Sequence, residues 1–420
     1  MNAANCMKAL CLAGRIILEN GGETYRAEDT VIRMARALGL SEPDAFGIPS
    51  GLFISFTDEA GERKTSISRV HLRGTHLARV DRVNHISRLL ADGLLAPEEL
   101  YDALREASHI GREMSSWYAP LTAMWTVAGF VVMFGGGWID VLVGCLCGAL
   151  TQLVPRLFSP DDPSSGMTSV LVGGVVCVMV PLLFHSLTGL GVTEAIIAGA
   201  IMPLVPGLSM TNAVQDIMRG DMVSGVTHCA RAIMIAVMVA GGGLVGTHLC
   251  GMLGLAQQSE AVASTLPIAA QAIILSLASL VADSGFGAFL YAPRKAIAWG
   301  SALGMAGYMT YWLVMLGGAP ETAAMFVGAL VAAVGAQLAA RRLRMIATVF
   351  ITIAILPMVP GLGLYRATRA LAEGQLASGG SIAAHTMALI VMIALGIAFG
   401  AAVRGLFRTS QKAGNGRNRV

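Results

Sequence analysis

Two segments of this 420-residue chain are copies of each other, and the copied motif is one that interrupts an apolar helix. Residues 201–246 open with Ile-Met-Pro-Leu-Val-Pro-Gly-Leu, and residues 355–400 with Ile-Leu-Pro-Met-Val-Pro-Gly-Leu. They align without a gap over 46 positions at an offset of 154, with 16 identities. Proline lacks an amide donor and its ring clashes with the preceding turn, so Pro-x-x-Pro-Gly inside an apolar run releases backbone carbonyls from helical pairing. Hydrocarbon tolerates such groups only where they pack in protein or line a polar cavity. One interrupted segment per half is therefore the pattern expected where a transporter holds its substrate. The pathway candidates marked this way are Pro203, Pro206 and Gly207 in the first copy, and Pro357, Pro360 and Gly361 in the second.

Hydrophobic residues make up 55% of the chain and charged residues only 13%, a polytopic membrane profile. The charge is uneven, because residues 1–115 hold 14 of the 29 Lys and Arg. The sequence thus predicts a cytoplasmic α/β domain over 1–115, five-helix transmembrane repeats over 116–255 and 256–405, and a basic cytoplasmic tail over 406–420. The net charge of +3 gives no nucleic-acid footprint. Met1–Arg15 lacks the apolar run and cleavage site of a secretory signal. The cysteines (6, 11, 145, 147, 177, 229 and 250) are scattered and read as small buried hydrophobes, so neither a metal site nor a cofactor is expected.

Ten apolar segments are expected to span the bilayer: 119–136, 138–157, 168–187, 192–209, 226–249, 264–283, 294–316, 321–340, 346–363 and 382–404. With the N-terminal domain in the cytoplasm, Arg156, Arg219, Arg231, Arg294, Lys295, Arg341, Arg342, Arg344 and the tail fall inside. Outer loops near 137, 188, 255 and 318 carry no Lys or Arg. Arg366 and Arg369, directly after the second break, are the exception; they either snorkel at the outer interface or serve the substrate. Five spans per half make the repeat inverted, the arrangement that lets one site face alternate sides of the membrane.

In the N-terminal domain, 6–20 and 26–39 read as amphipathic helices, Phe46–Thr57 as a strand and Lys64–Leu72 as its hairpin partner. Helices over 76–91 and 97–112 follow. His71, His76, His85 and His109 lack metal-ligand spacing, and no P-loop, G-x-G-x-x-G or G-x-S-x-G is present. No catalytic residue is assigned, and the chain is not expected to be an enzyme; the rival reading from another class is a membrane-anchored enzyme or sensor acting through residues 1–115.

The run Leu12-Ala-Gly-Arg-Ile-Ile-Leu-Glu-Asn-Gly-Gly-Glu-Thr-Tyr-Arg-Ala-Glu-Asp-Thr resembles the opening of the threonine/serine exporter family. So do Pro49–Asp58, Arg69–Gly74, Pro203-Leu-Val-Pro-Gly-Leu-Ser-Met-Thr-Asn-Ala-Val-Gln-Asp, Ala292–Ala296 and Pro357–Arg366. The resemblance runs from about residue 6 to 405, as a fusion of halves that are separate proteins in some bacteria. It implies a ten-span exporter in the cytoplasmic membrane, driven by the proton gradient. Split-chain members are associated with succinate export, which leaves threonine, serine and a dicarboxylate as rival substrates.

After the first break, Asn212 and Asp216 share one helical face, and Thr211 and Gln215 the adjacent one. The second copy places Tyr365, Arg366, Arg369 and Ala370 at the aligned positions. An amide and an acid in one half, with a phenol and guanidiniums in the other, suit a zwitterion or an organic acid. Arg366 can hold a carboxylate, while Asp216 can receive an amino group, carry the coupling proton, or simply pair with Arg219 or Arg231. Asp283 is a second proton-site candidate, with an interfacial salt bridge to Arg294 or Lys295 as its alternative. The expected partners are a small amino acid or organic acid, protons and the lipid bilayer; homo-oligomers are compatible with this pattern and not specified by it.

Overall fold

The computed structural model describes residues 2–58, 60–70, 74–111, 114–158, 165–255 and 266–416, and divides into two compact units. Expected features at His71, Leu72, 256–265 and 417–420 lie outside the described residues, as does the Thr211 side chain.

The first unit gathers Met1–Ser115, Leu208–Arg231 and Leu290–Pro293. Helix α1 (Ala3–Glu19) buries Cys6, Leu10, Ala13 and Ile17, the three- and four-residue spacing of one face. Gly21, at φ +84°, takes the left-handed conformation that ends it, and α2 (Thr24–Ala37) follows. Strands β1 (Ser41–Ile48), β2 (Gly51–Thr57) and β3 (Arg63–Arg69) make an antiparallel sheet in that order. The single strand expected over Phe46–Thr57 is instead two, folded at Pro49-Ser50 with Ile48 opposite Gly51. Proline has no amide for a ladder and favours a turn, so the chain reverses there. Leu52, Ile54 and Phe56 alternate inward, and Gly14 lets α1 lie directly on Leu52. Helices α3 (Leu77–Ala91) and α4 (Leu100–His109) complete this stretch of chain.

The remaining helices in chain order are α5 (Tyr118–Met133), α6 (Trp138–Leu153), α7 (Ser165–Thr188) and α8 (Thr193–Ile201), then α9 (Gly207–Met218) and α10 (Met222–Met252). They continue with α11 (Ile268–Phe289), α12 (Arg294–Leu316), α13 (Glu321–Leu343), α14 (Ala347–Ile355), α15 (Gly361–Ala372) and α16 (Leu376–Gly416). Residues 208–231, most of α9 and the opening of α10, belong to the first unit; the second comprises Ser116–Gly207, Ala232–Phe289 and Arg294–Val420. Among the described residues six helices are long and apolar enough to cross a membrane: α6 with its following turn, α7, α10, α11, α13 and α16. The α14–α15 pair, bent by 54°, makes a seventh, while α5 and Thr193–Leu204 are apolar but shorter. The seventh expected segment, 294–316, coincides with α12, which is not among those spans. This is a polytopic helical membrane protein.

The sequence repeat returns as a structural one. Helix α8, the turn Met202–Leu204 and α9 recur as α14, Leu356–Met358 and α15, each displaced by 154 residues. Proline at the second position of each turn stops the helix in the same way. Helices α8 and α14 are buried almost all round, which makes them the centre of the second unit. Two of the shared glycine pairs set close helix crossings. A Cβ on Gly242 would lie 2.0 Å from the Leu171 carbonyl oxygen of α7, and one on Gly396 2.8 Å from that of Phe326 in α13. Gly246 and Gly400, one turn on, pack the same way, so each half carries a small-x-x-x-small crossing at matching positions.

Candidate functional site

Within the second unit the two breaks face each other. Pro203 and Pro357 lie in the tight turns, Pro206 and Pro360 follow, and Gly207 and Gly361 open α9 and α15. A Cβ on Gly361 would sit 2.7 Å from Val205 Cγ2 and 3.1 Å from Met202 Sδ, so the second break packs on the first without a side chain between them. From there α15 lies alongside α8, and at the far end Arg366 pairs with Glu194. The start of α8 is itself pinned by Asp140, whose carboxylate accepts the amides of Val192 at 2.9 Å and Gly137 at 2.8 Å. Tyr365 is buried against Gly243 of α10, and Arg369 closes a 2.7 Å pair with Glu373 one turn on.

Beside the second break the same unit holds a cavity of about 530 Å³, bordered by Pro360, Gly361 and Arg366 and by Tyr311, Glu321 and His385. Tyr311 donates to Glu321 Oε1 at 3.2 Å, and His385 Nε2 lies 2.9 Å from Glu321 Oε2. Glu194, Tyr311, Glu321 and His385 were not singled out in the sequence. The signal was present: three of the loops without Lys or Arg, near 137, 188 and 318, are followed by Asp140, Glu194 and Glu321 at the next helix starts.

Asp283 belongs to this unit too. It is 0% exposed, with Ser279 donating to its Oδ2 at 3.4 Å and Gly304 of α12 pressed against the carboxyl. The alternative of a salt bridge to Arg294 or Lys295 does not form among the described residues, because α11 runs on to Phe289 and leaves Asp283 inside it.

Asn212 and Asp216 fall in the first unit, where they meet the Gly-Gly-Glu-Thr-Tyr-Arg stretch. Asn212 Nδ2 donates to the Gly21 carbonyl oxygen at 3.2 Å. Asp216 is fully buried; His228 Nε2 stands 3.7 Å from its Oδ2, and no ion pair to Arg219 or Arg231 forms among the described residues. Arg219 instead lies over the Tyr25 ring at 3.4 Å, while Arg26 holds Glu23 at 2.7 Å. Asn212 Oδ1, Gln215 Nε2, Ser224 Oγ and both Asp216 oxygens are buried without a hydrogen-bond partner among the described residues. Burial, then the charges of Glu23 and Asp221, push the Asp216 carboxyl up to about 7, against the pull of Arg219.

A carboxyl raised from 3.8 to about 7 binds its proton more tightly in the folded chain than in the unfolded one. Its cost is therefore absent below the lower value, grows between the two, and stays constant above the higher. The full-length protein in detergent should lose thermal stability relative to Asp216→Asn as pH rises from about 5 to about 7, at up to about 1.4 kcal/mol per pH unit. Parallel melting curves of the two proteins across that window would show that Asp216 titrates elsewhere.

Comparison with known proteins bears on both units. A family model for a threonine/serine exporter matches residues 8–250, and a second, "Threonine/Serine exporter, ThrE", matches residues 275–403. The chain is similar to a "Threonine/serine exporter" of Corynebacterium glutamicum, 24% identical over 94% of this chain and 82% of that one. It is similar to a "Probable threonine/serine exporter" of Mycobacterium tuberculosis, 25% identical over 87% and 70%. It is also similar to a "Probable succinate transporter subunit YjjP" of Escherichia coli, 22% identical over 58% of this chain and 95% of the relative. No solved structure matches. With one family model covering more than half of the chain and its partner most of the remainder, this protein belongs to the threonine/serine exporter family.

Proposed function

We propose that the protein exports threonine or serine across the bacterial cytoplasmic membrane in exchange for protons, by alternating access around its two broken helices. The observation that carries this reading is the contact of the two breaks: Gly361 lies on Val205 and Met202, at the centre of a unit whose elements recur at one fixed offset. In this reading the ten apolar segments all span, the halves 116–255 and 256–405 are inverted repeats, and both the 1–115 domain and the tail are cytoplasmic. The pathway runs past Pro203, Pro206, Gly207, Pro357, Pro360, Gly361 and Tyr365, with Asn212 and Asp216 as its polar residues in the first unit. Arg366 attracts the substrate carboxylate, and Asp283 carries the coupling proton, with Asp216 the second protonatable carboxyl. The second reading, export of a dicarboxylate by the same fold, is favoured by the similarity to the relative named as a succinate transporter subunit.

Counterflow in proteoliposomes separates the two. Vesicles are loaded with unlabelled threonine, serine or succinate; those holding threonine should accumulate labelled threonine and serine, and Arg366→Ala should cut that uptake by about tenfold or more, the loss of one charge-assisted contact. Accumulation of labelled succinate alone would replace the substrate and keep the fold. Absence of exchange with all three would remove the transport reading.

A further inference from the structure

Resting on that exporter reading for its substrate class, we propose that the cavity beside the second break is the binding chamber for an α-amino acid, with Glu321 receiving the ammonium group and Arg366 the carboxylate. Its volume of about 530 Å³ falls in the range of small-molecule sites, roughly 300–1,000 Å³. Its lining holds both an acid, Glu321, and an arginine, Arg366, which also pairs with Glu194.

On one wall, the Glu321 carboxylate is held in place at both oxygens, by Tyr311 at 3.2 Å and His385 at 2.9 Å. A carboxylate has about four lone-pair positions, so two contacts still leave acceptors for an ammonium group. Tyr308 and Tyr311, whose rings stand 5.8 Å apart, border the same space and present aromatic faces that attract a cation. On the other wall, Arg366 offers a fork of five N–H donors, of which Nη2 engages Glu194. Beside it lies the opening turn of α15, where the Gly361 amide donates to the Val359 carbonyl oxygen at 2.8 Å, and the first-turn amides of Leu362 and Gly363, without helical acceptors, together with the positive end of the helix dipole favour an anion. An acid anchored at one wall, with an arginine and a helix start at the other, matches a zwitterion. A dicarboxylate would set its second charge against Glu321, a like-charge contact that costs affinity.

The test uses the full-length protein in detergent and isothermal titration with L-threonine and with 3-hydroxybutyrate, the same carbon chain without its amino group. Wild type should bind threonine in clear preference. Glu321→Gln should weaken threonine by about tenfold or more and leave 3-hydroxybutyrate nearly unchanged, so the preference collapses. Tyr311→Phe, which keeps the carboxylate and removes only the hydroxyl that orients it, should weaken threonine by a few-fold and guards against a folding defect in the first variant. Threonine binding unchanged in both variants, or no threonine binding by wild type, overturns the chamber. Binding with the expected variant pattern but without counterflow would uphold the chamber and sink the exporter reading; counterflow undiminished in Glu321→Gln would do the reverse.

Discussion

Asp283→Asn is expected to abolish proton-driven export while sparing exchange. The carboxyl is 0% exposed in the last third of α11, has Ser279 as its hydrogen-bond donor, and is closed over by Gly304. Charge inside a span is expensive and is kept where it works, so a carboxyl with no cation in salt-bridge range among the described residues is a natural proton carrier. Its neighbours strengthen that reading. Gly304 lies on α12, and a Cβ on it would sit 3.2 Å from the Ala354 Cα of α14, next to the second break, so α12 connects the acid to that break. Asparagine keeps the shape and the acceptor oxygen but cannot take up a proton. Proteoliposomes carrying the variant should therefore fail to drive threonine uphill under an imposed pH gradient, falling to the background of empty vesicles. Counterflow, which needs no net proton movement, should proceed near the wild-type rate. Gradient-driven transport that survives the substitution would move the coupling proton off Asp283, with Asp216 the next carboxyl to test.

The broken helices were legible in the sequence because their cause is local: a proline without an amide ends a helix wherever it stands. Gly220 and Gly374, which the repeat also pairs, end α9 and α15 with φ of +88° and +81° and have no close neighbour, so they serve as caps and not as helix-packing glycines. What the sequence hides is which side chains meet across distance. Asp216 is buried and then feels the charge of Glu23, nearly two hundred residues away, and Arg219 finds its partner in Tyr25 rather than in the acid three positions before it. The grouping of residues 208–231 with residues 1–115 has the same origin, since a mildly amphipathic stretch does not announce which unit it packs in. The salt bridge weighed for Asp283 rested on Arg294 and Lys295 being near in sequence; α11 runs on to Phe289 and keeps the acid within the helix. The Glu321–His385 pair joins α13 to α16, and each half of it reads alone as an ordinary polar residue at the edge of an apolar run.

Gly361→Val should block transport at the break itself. A Cβ at this position meets Val205 Cγ2 at 2.7 Å and Met202 Sδ at 3.1 Å, and both neighbours are side chains, so alanine can be absorbed by small shifts. Valine adds two more carbons to the same gap, where overpacking costs typically about 1–3 kcal/mol and is relieved only by separating the two segments. If alternating access requires the breaks to exchange contacts, holding them apart favours one conformation, and export should fall to background while the purified protein still melts cooperatively. Gly361→Ala should lie between valine and wild type. The decisive variant is the double one. Val205→Ala removes the side chain that valine strikes, so Gly361→Val with Val205→Ala should recover much of the activity, a coupling expected only of residues in contact. Rescue would tie transport to this contact. If the double variant transports no better than Gly361→Val alone, valine acts elsewhere on α15, and the pairing of the two breaks is then a matter of packing and not of transport.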